Sequence, residues 1–321
     1  MRIVVTGGAG FIGGNLCREL LGRGHTVAVL DDLSTGSADN LPGAGTASGP
    51  GRADGIDLTV GSILDPDALD EVCEHAEAIV HLAALGSVPR SIAAPLPTLA
   101  TNAEGTAQVL DAARRHGGLH MVMAGSSSVY GANPELPKHE GLVPAPLSPY
   151  AASKLAAEAY SLAWSRSYAL PVLAFRFFNV FGPLQSPDHA YAAVVPRFVA
   201  AALAGEPLTI YGDGLQSRDF TFVGTVVAVL ADAVERTVTS PEPVNLAFGT
   251  RTTLLDLVAE LEAQLGMPLQ VRHEPERAGD VRHSQAANDR LLGLFPQATA
   301  VPLADGVRAT VDWMRARPAA R

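Results

Sequence analysis

The opening run Val4-Val5-Thr6-Gly7-Gly8-Ala9-Gly10-Phe11-Ile12-Gly13 constrains this chain more than any other stretch. Ile3 to Val5 read as a buried strand, and Phe11, Ile12, Leu16, Leu20 and Leu21 recur at helical spacing. Between them Gly7, Gly10 and Gly13 are spaced G-x-x-G-x-x-G. Such a turn needs one glycine for its backbone shape and one so that the backbone can approach a pyrophosphate. It needs a third where helix and strand pack closely. The free N–H groups around Phe11, Ile12 and Gly13, and the positive end of the helix dipole, then face the phosphates. A second strand, Thr26 to Leu30, ends in Asp31, about 20 residues past the glycines, where an acid holds a ribose diol. An acid there, with Asp32 beside it, repels a 2′-phosphate, so the expected cofactor is NAD rather than NADP.

The 321 residues allow one large domain or two small ones, and a hydrophobic content of 47% supports a sizeable core. A net charge of −10 argues against a nucleic-acid partner, while leaving room for an anionic small ligand at a locally positive site. Cys17 and Cys73 are too few and too isolated for a disulfide framework or a zinc site, so no metal is expected. The chain enters a strand at once, without a charged leader, and no apolar run approaches membrane-spanning length. The expectation is a soluble, cytoplasmic protein with no membrane partner.

Strand and helix patterns alternate through the first half, the signature of an α/β fold with a doubly wound parallel sheet. After Asp31 comes a Gly/Ala/Pro-rich surface loop, Leu41 to Gly55. Strands follow at Asp57–Val60, Ala78–Leu82, Met121–Ala124 and Val172–Phe178. Helices are expected from Asp65-Pro66-Asp67, over Asn102–Arg115, and from Ser148-Pro149-Tyr150. Later pieces read as a helix Val194–Ala204, a strand Leu208–Tyr211, and a return to the sheet through Phe220–Val223 and a helix Val226–Val234. A helix Leu254–Leu265, a strand Leu269–His273 and a helix near Val307–Arg315 complete the chain. The resulting division is a dinucleotide-binding domain (1–178 and 220–245) and a smaller discontinuous α/β substrate-binding domain (179–219 and 246–321).

Tyr150 and Lys154 are spaced Y-x-x-x-K on one helix face. An ammonium beside a phenol favours the phenolate, which makes the tyrosine able to accept a hydroxyl proton near neutral pH. Ser126 ends a strand at the carboxyl edge of the sheet, where ligands bind in such folds, and its hydroxyl reaches the same substrate oxygen. Ser127 and Ser128 are equally available from sequence alone.

Together the glycine motif, Gly125-Ser126-Ser127-Ser128-Val129-Tyr130-Gly131, Tyr150/Lys154 and Arg176-Phe177-Phe178-Asn179-Val180-Phe181-Gly182-Pro183 resemble an extended short-chain dehydrogenase/reductase. Within that group the chain is similar to the nucleotide-sugar 4-epimerases, over nearly its whole length. His81-Leu82-Ala83-Ala84, Ser87-Val88-Pro89-Arg90-Ser91, Tyr191-Ala192-Ala193-Val194-Val195-Pro196, Ile210-Tyr211-Gly212-Asp213-Gly214 and Arg218-Asp219-Phe220 fit the same pattern. The resemblance implies a Rossmann-type sheet and a tightly held NAD. It implies that Tyr150 takes the proton of the sugar 4-hydroxyl, that Ser126 shares that hydrogen bond, and that hydride leaves C4 and returns to the other face of a 4-keto sugar. It also implies cofactor contacts from Ser62, Ile63, Leu82, Ala83 and Ala84. UDP-sugar contacts are implied from Ser87, Ser127, Ser128, Asn179, Val195, Tyr211, Arg218, Arg277 and Asp280.

Related 4,6-dehydratases carry an Asp–Glu pair where Ser127 and Ser128 stand, and serines cannot supply that acid–base pair. Epimerisation of UDP-glucose or UDP-GlcNAc is therefore the expected reaction, with UDP-glucuronate epimerisation or a dehydratase/reductase as alternatives. A non-catalytic dinucleotide-binding module would not need Ser126, Tyr150 and Lys154. The same family pattern has an acid where Ser62 stands and an acidic pair where Gly224-Thr225 stands, and slightly larger residues in place of Gly86 and Gly125. Family members often dimerise through two helices, for which 102–115 and 150–168 are the candidates.

Overall fold

The computed structural model describes residues 1–43, 56–188, 192–276 and 281–317. Most of the expected 41–55 loop, and Tyr191, lie outside them. The first strands and helices run β1 (Arg2–Thr6), α1 (Phe11–Gly22), β2 (Thr26–Asp31), β3 (Ile56–Val60), α2 (Pro66–Cys73) and β4 (Ala78–His81). Two short helices follow, α3 (Val88–Ala93) and α4 (Pro95–Leu99). A wider π-turn at Ala100–Glu104 then leads into α5 (Gly105–Arg115), β5 (His120–Ser126), α6 (Pro149–Tyr168) and β6 (Val172–Phe177). Beyond the sheet edge come β7 (Asn179–Phe181), α7 (Val194–Ala204), β8 (Leu208–Tyr211), β9 (Ser217–Arg218), β10 (Phe220–Phe222) and α8 (Val223–Glu235). The chain ends through β11 (Val244–Leu246), β12 (Thr252–Thr253), α9 (Leu254–Leu265), β13 (Val271–Glu274), α10 (Asp289–Leu294) and α11 (Leu303–Ala316).

The central sheet has seven parallel strands in the order β11-β6-β5-β4-β1-β2-β3. Strand alternation puts Ile3, Val5, Val27 and Val29 in one apolar cluster with α1 and α8, and Val4, Ala28 and Leu30 in another with α2 and α5. Both faces are thus covered, as an all-parallel sheet requires. Cys17 and Cys73 are buried in these layers, and burial raises their thiols to about 12 and about 11. A third cluster joins α7, α9 and α11 to β8 and β10.

Three features add to the sequence expectation. Phe220–Phe222 pairs with β7 in a two-stranded ribbon, α8 after it packs on the sheet, and the sheet is completed by the short β11 against β6. The helix expected over 102–115 begins in the π-turn, and α3 and α4 precede it. Gly224 and Thr225 have structural uses. A Cβ at Gly224 would stand 2.7 Å from the Phe222 ring, and the Thr225 hydroxyl accepts a hydrogen bond from Val301 N at 3.1 Å. Among the described residues no helix is long and apolar enough to cross a membrane.

Two buried polar groups fix α5 and α6 to the sheet. Arg176 of β6 donates to both carboxylate oxygens of Glu158 on α6, at 2.8 and 2.7 Å, with side chains only 3% and 6% exposed. His81 at the end of β4 meets Thr6 through Nδ1 at 2.7 Å and Thr106 of α5 through Nε2 at 3.0 Å. Thr106 donates its proton to Asn102 O, so it must accept from Nε2–H. Nδ1 then accepts from Thr6, whose oxygen is free to receive Ala83 N. The ring is neutral, and burial, helped by the Lys154 charge, lowers its pKa to about 3.

Glu158→Ala leaves Arg176 buried and unpaired, and should lower unfolding free energy by about 3–5 kcal/mol in denaturant titration. Replacing both partners by methionine should recover most of that loss. His81 binds a proton in the unfolded chain below its ordinary value of 6.5 but not in the folded one until about 3. Stability should therefore fall as pH drops through that window, with His81 contributing up to about 1.4 kcal/mol per pH unit. A His81→Gln variant, followed by denaturant unfolding between pH 6 and 4, should show a slope shallower by that one proton.

Candidate active site

The strand order reverses between β1 and β4, and the loops leaving their carboxyl ends meet there. Gly7 has φ +72°, and a Cβ on it would lie 2.6 Å from Ala83 N. At Gly13 a Cβ would overlap Gly7 O and the Gly8 backbone, whereas at Gly10 it would meet only Gly7 O at 3.2 Å. The three glycines thus divide the work: Gly7 shapes the turn, Gly13 permits close packing, and Gly10 leaves its outer face open. Gly10 is the N-cap of α1, no side chain caps it, and no acid stands in the first turn. Asp31, 8% exposed, accepts Ala9 N and Leu33 N at 2.9 Å each, which clips the end of β2 to the glycine turn. Burial raises its pKa and these two donors oppose the rise. Asp32 instead accepts from Ser34 in its own exposed turn.

Around this turn, Ser62 accepts Leu64 N at 3.1 Å, and Ile63 is buried against Gly105. Leu82 N bonds Thr6 O, and Ala83 and Ala84 continue beside Gly7. An uncapped helix start, an open glycine above it and a buried acid one strand away together suit a pyrophosphate and a ribose diol. The residues present fit NAD.

Tyr150 and Lys154 lie in the first turns of α6, whose N-cap Ser148 accepts Ala151 N at 3.1 Å. Lys154, 7% exposed, donates from Nζ to Ala124 O at 2.9 Å, and burial lowers its pKa to about 8. Burial raises the Tyr150 phenol, and a side-chain hydrogen bond with Ser126 opposes that rise. The expected lowering of Tyr150 by Lys154 is not what this arrangement gives. The ammonium is engaged with the β5 carbonyl, and desolvation dominates the phenol. Ser126 ends β5 and caps the 3-10 turn Ser127–Tyr130, with its Oγ 2.9 Å from Ser128 Oγ and 3.2 Å from Ser128 N. Gly125 permits close strand packing, since a Cβ there would overlap Phe175 O.

Asn102 escaped the sequence reading. From the π-turn it accepts Leu85 N at 2.8 Å and donates to Ser153 Oγ at 3.0 Å, and Ser153 in turn donates to Tyr150 O. One amide therefore ties the loop after β4 to the helix of Tyr150. π-turns are frequent at such sites.

A cavity of about 360 Å³ lies beyond β6, lined in part by Asn179, Val195, Arg197, Tyr211, Gln216 and Arg218. Four of these were expected from sequence. Arg197 and Gln216 were not among them, and Gln216 donates to Tyr211 O at 2.7 Å. Arg277 and Asp280 lie outside the described residues. Ser87 is occupied as the N-cap of α3, accepting Arg90 N at 3.1 Å. A wider groove of about 470 Å³ between α1 and α8 holds none of the expected residues.

This geometry has close counterparts. A UDP-glucose 4-epimerase of Mycolicibacterium smegmatis is 38% identical over 98% of this chain and 99% of its own. The structure of a UDP-N-acetylglucosamine 4-epimerase from Methanobrevibacter ruminantium, in complex with UDP-N-acetylmuramic acid, superposes with a TM-score of 0.91 at 33% identity, covering 98% of each chain. That of the UDP-glucuronic acid 4-epimerase from Bacillus cereus, in complex with UDP-glucuronic acid and NAD, gives 0.86 at 29% identity, covering 98% of this chain and 99% of that one. The model of the NAD-dependent epimerase/dehydratase family matches residues 3–247, from the first strand through the glycine turn, Ser126, Tyr150 and Lys154 to the last strand of the sheet, and the chain belongs to that family.

Proposed function

We propose that this protein is an NAD-dependent UDP-sugar 4-epimerase, interconverting UDP-glucose and UDP-galactose or their N-acetylated counterparts. The observation that carries this reading is Ser126 at the carboxyl end of β5 and Tyr150 on the helix whose Lys154 reaches the β5 carbonyl of Ala124, with Ser127 and Ser128 where an acid–base pair would be needed to eliminate water. Gly7–Gly13 and Asp31 would hold NAD, which would supply the hydride acceptor and donor for the sugar C4. Tyr150 accepts the 4-hydroxyl proton and later gives it back, and Ser126 donates a hydrogen bond to the same oxygen. Lys154 holds positive charge beneath the site through Ala124 O. Asn179 and Arg218 wall the cavity that suits a nucleoside diphosphate, with Arg277 and Asp280 assigned to it by sequence alone. In this reading 1–178 with 220–245 hold the cofactor, and 179–219 with 246–321 hold the nucleotide sugar.

We also infer a homodimer. Helices α3 and α4, packed on α6, expose Ile92, Leu96 and Leu99 at 65%, 74% and 53%, and α6 exposes Tyr160 and Tyr168. A second copy packing α4 and α6 against their equivalents would cover these side chains. Helix α5, the other candidate, turns Val109, Leu110, Ala112 and Ala113 to the core.

Proton NMR in D₂O with UDP-glucose, UDP-GlcNAc and UDP-glucuronate in turn should show inversion at C4 without deuterium entering the sugar. Deuterium at C5 or C6 would assign a dehydratase instead. Tyr150→Phe should still bind UDP-sugar and NAD but lose turnover by on the order of 10²–10⁴-fold. Light scattering after gel filtration should report a dimer for the native chain and a monomer for Leu96→Glu.

A further inference from the structure

Tyr130 ends the 3-10 turn that Ser126 caps, and it is only 1% exposed. A phenol buried this deeply needs a partner for its hydroxyl. That partner is Asn245 of β11, itself fully buried, whose Oδ1 lies 2.7 Å from the Tyr130 oxygen. The direction of the bond is fixed. Both protons of the Asn245 amide nitrogen are spent on carbonyls, Lys138 O at 2.8 Å and Ala287 O at 3.1 Å, so Oδ1 faces the phenol and Tyr130 donates. The Tyr130 ring has two further neighbours. The Arg176 guanidinium stands over its face, 4.7 Å from the centroid, and the Phe178 ring packs at 6.3 Å.

Each of the three contacts leads to a different part of the site. Arg176 is paired with Glu158 on the helix of Tyr150. Phe178 lines the cavity beyond β6. Asn245 leads through Ala287 to Ala286, whose N–H is held by Asp219, the neighbour of Arg218 in the cavity wall. We propose that Tyr130 is a positioning residue, which sets the serine turn, and with it Ser126, against the helix of Tyr150 and against the nucleotide cavity. The inference rests on Ser126 serving the proposed reaction. Hydroxyl and ring can be separated. Tyr130→Phe keeps the ring on Arg176 and Phe178 and removes only the bond to Asn245. The turn is then held by packing and by its own backbone bonds, and small shifts of the serine hydroxyl slow a reaction that depends on its placement. Nucleotide binding is spared, because Asp219 keeps its partners and Phe178 keeps its ring neighbour.

Hydrogen–deuterium exchange of the NAD-loaded protein reads the turn at the N–H groups of Ser128 and Gly131, which are bonded to Ser126 Oγ and Ser128 O. Tyr130→Phe should speed exchange there by about 3- to 10-fold and leave β1 unchanged. With UDP-glucose, UDP-GlcNAc or UDP-glucuronate, whichever the wild type turns over, kcat should fall about 10-fold while KM and the Kd of UDP stay within about twofold. Asn245→Ala should slow turnover as well, and adding Tyr130→Phe to it should change kcat by less than about twofold, since the shared bond is already gone. Unchanged exchange at the turn overturns the proposal, as do kcat losses that simply multiply in the double variant. Unchanged kcat in a protein that epimerises overturns it too, and a raised KM beside it marks Tyr130 as mere support for the Phe178 wall. Failure of the wild type to epimerise any of these sugars refutes the proposed activity, and exchange then decides alone whether Tyr130 holds the turn.

Discussion

The close approach of the backbone at Gly7 to the backbone at Ala83 is the constraint on which the rest of the site depends. Strands β1 and β4 are neighbours whose connections leave to opposite sides of the sheet, so their carboxyl ends open a crevice. A side chain at Gly7 would fill that crevice with its Cβ. Keeping it bare brings the glycine turn, Thr6 and the His81-Leu82-Ala83 run into one layer. The polar atoms this layer buries are paired in sequence: Ala83 N on Thr6, Thr6 on His81, His81 on Thr106. A neutral imidazole suits the place better than a charged one, because burial disfavours the charge and Lys154 adds to that.

Helix α6 is capped by its own Ser148 and tied to its surroundings at three points: Ser153 is gripped by Asn102, Lys154 reaches the β5 carbonyl and Glu158 pairs with Arg176 on β6. A catalytic side chain needs a rigid carrier, and these bonds resist both rotation and sliding of the helix. Burial moves the two functional groups in opposite directions: the phenol upward and the ammonium downward. Each charged form is disfavoured alone. Hydrogen bonds from Ser126 and to Ala124 then decide how far the site departs from neutrality.

The legible part of this molecule was the part whose signal is local. Strand alternation and the G-x-x-G-x-x-G spacing announced the sheet and its ligand turn, and the four-residue step placed Tyr150 and Lys154 on one helix. Helices α3 and α4 were hidden because they are six and five residues long, too short to show a helical period, although each has a proline in its first turn, where proline is at home. β11 is three residues long between Pro243 and a loop, too short to show a period. Asn102, Glu158 and Arg176 gave no signal because their partners are 51 and 18 residues away and are chosen by packing. The pull of burial on Tyr150 was hidden for a related reason: sequence shows that Lys154 is near, but not how far the phenol is desolvated.

The nucleotide side of the site depends in the same way on one buried carboxylate. Asp219 accepts Gly249 N and Ala286 N at 3.0 Å and the Thr250 hydroxyl at 2.9 Å, while its backbone oxygen accepts Asn179 N. Burial alone would raise its pKa strongly, and the convergent donors draw it back. Its neighbours in sequence are Arg218, facing the cavity, and Phe220, which starts the strand paired to β7. β7 itself follows directly on β6, one residue beyond the sheet. Asp219 therefore fixes Arg218 and Asn179 relative to the strand that carries Arg176, and through Glu158 relative to the helix that carries Tyr150. The cavity wall at Asn179 and Arg218 is thus linked through β7 and β6 to the buried Arg176–Glu158 pair and the helix that carries Tyr150.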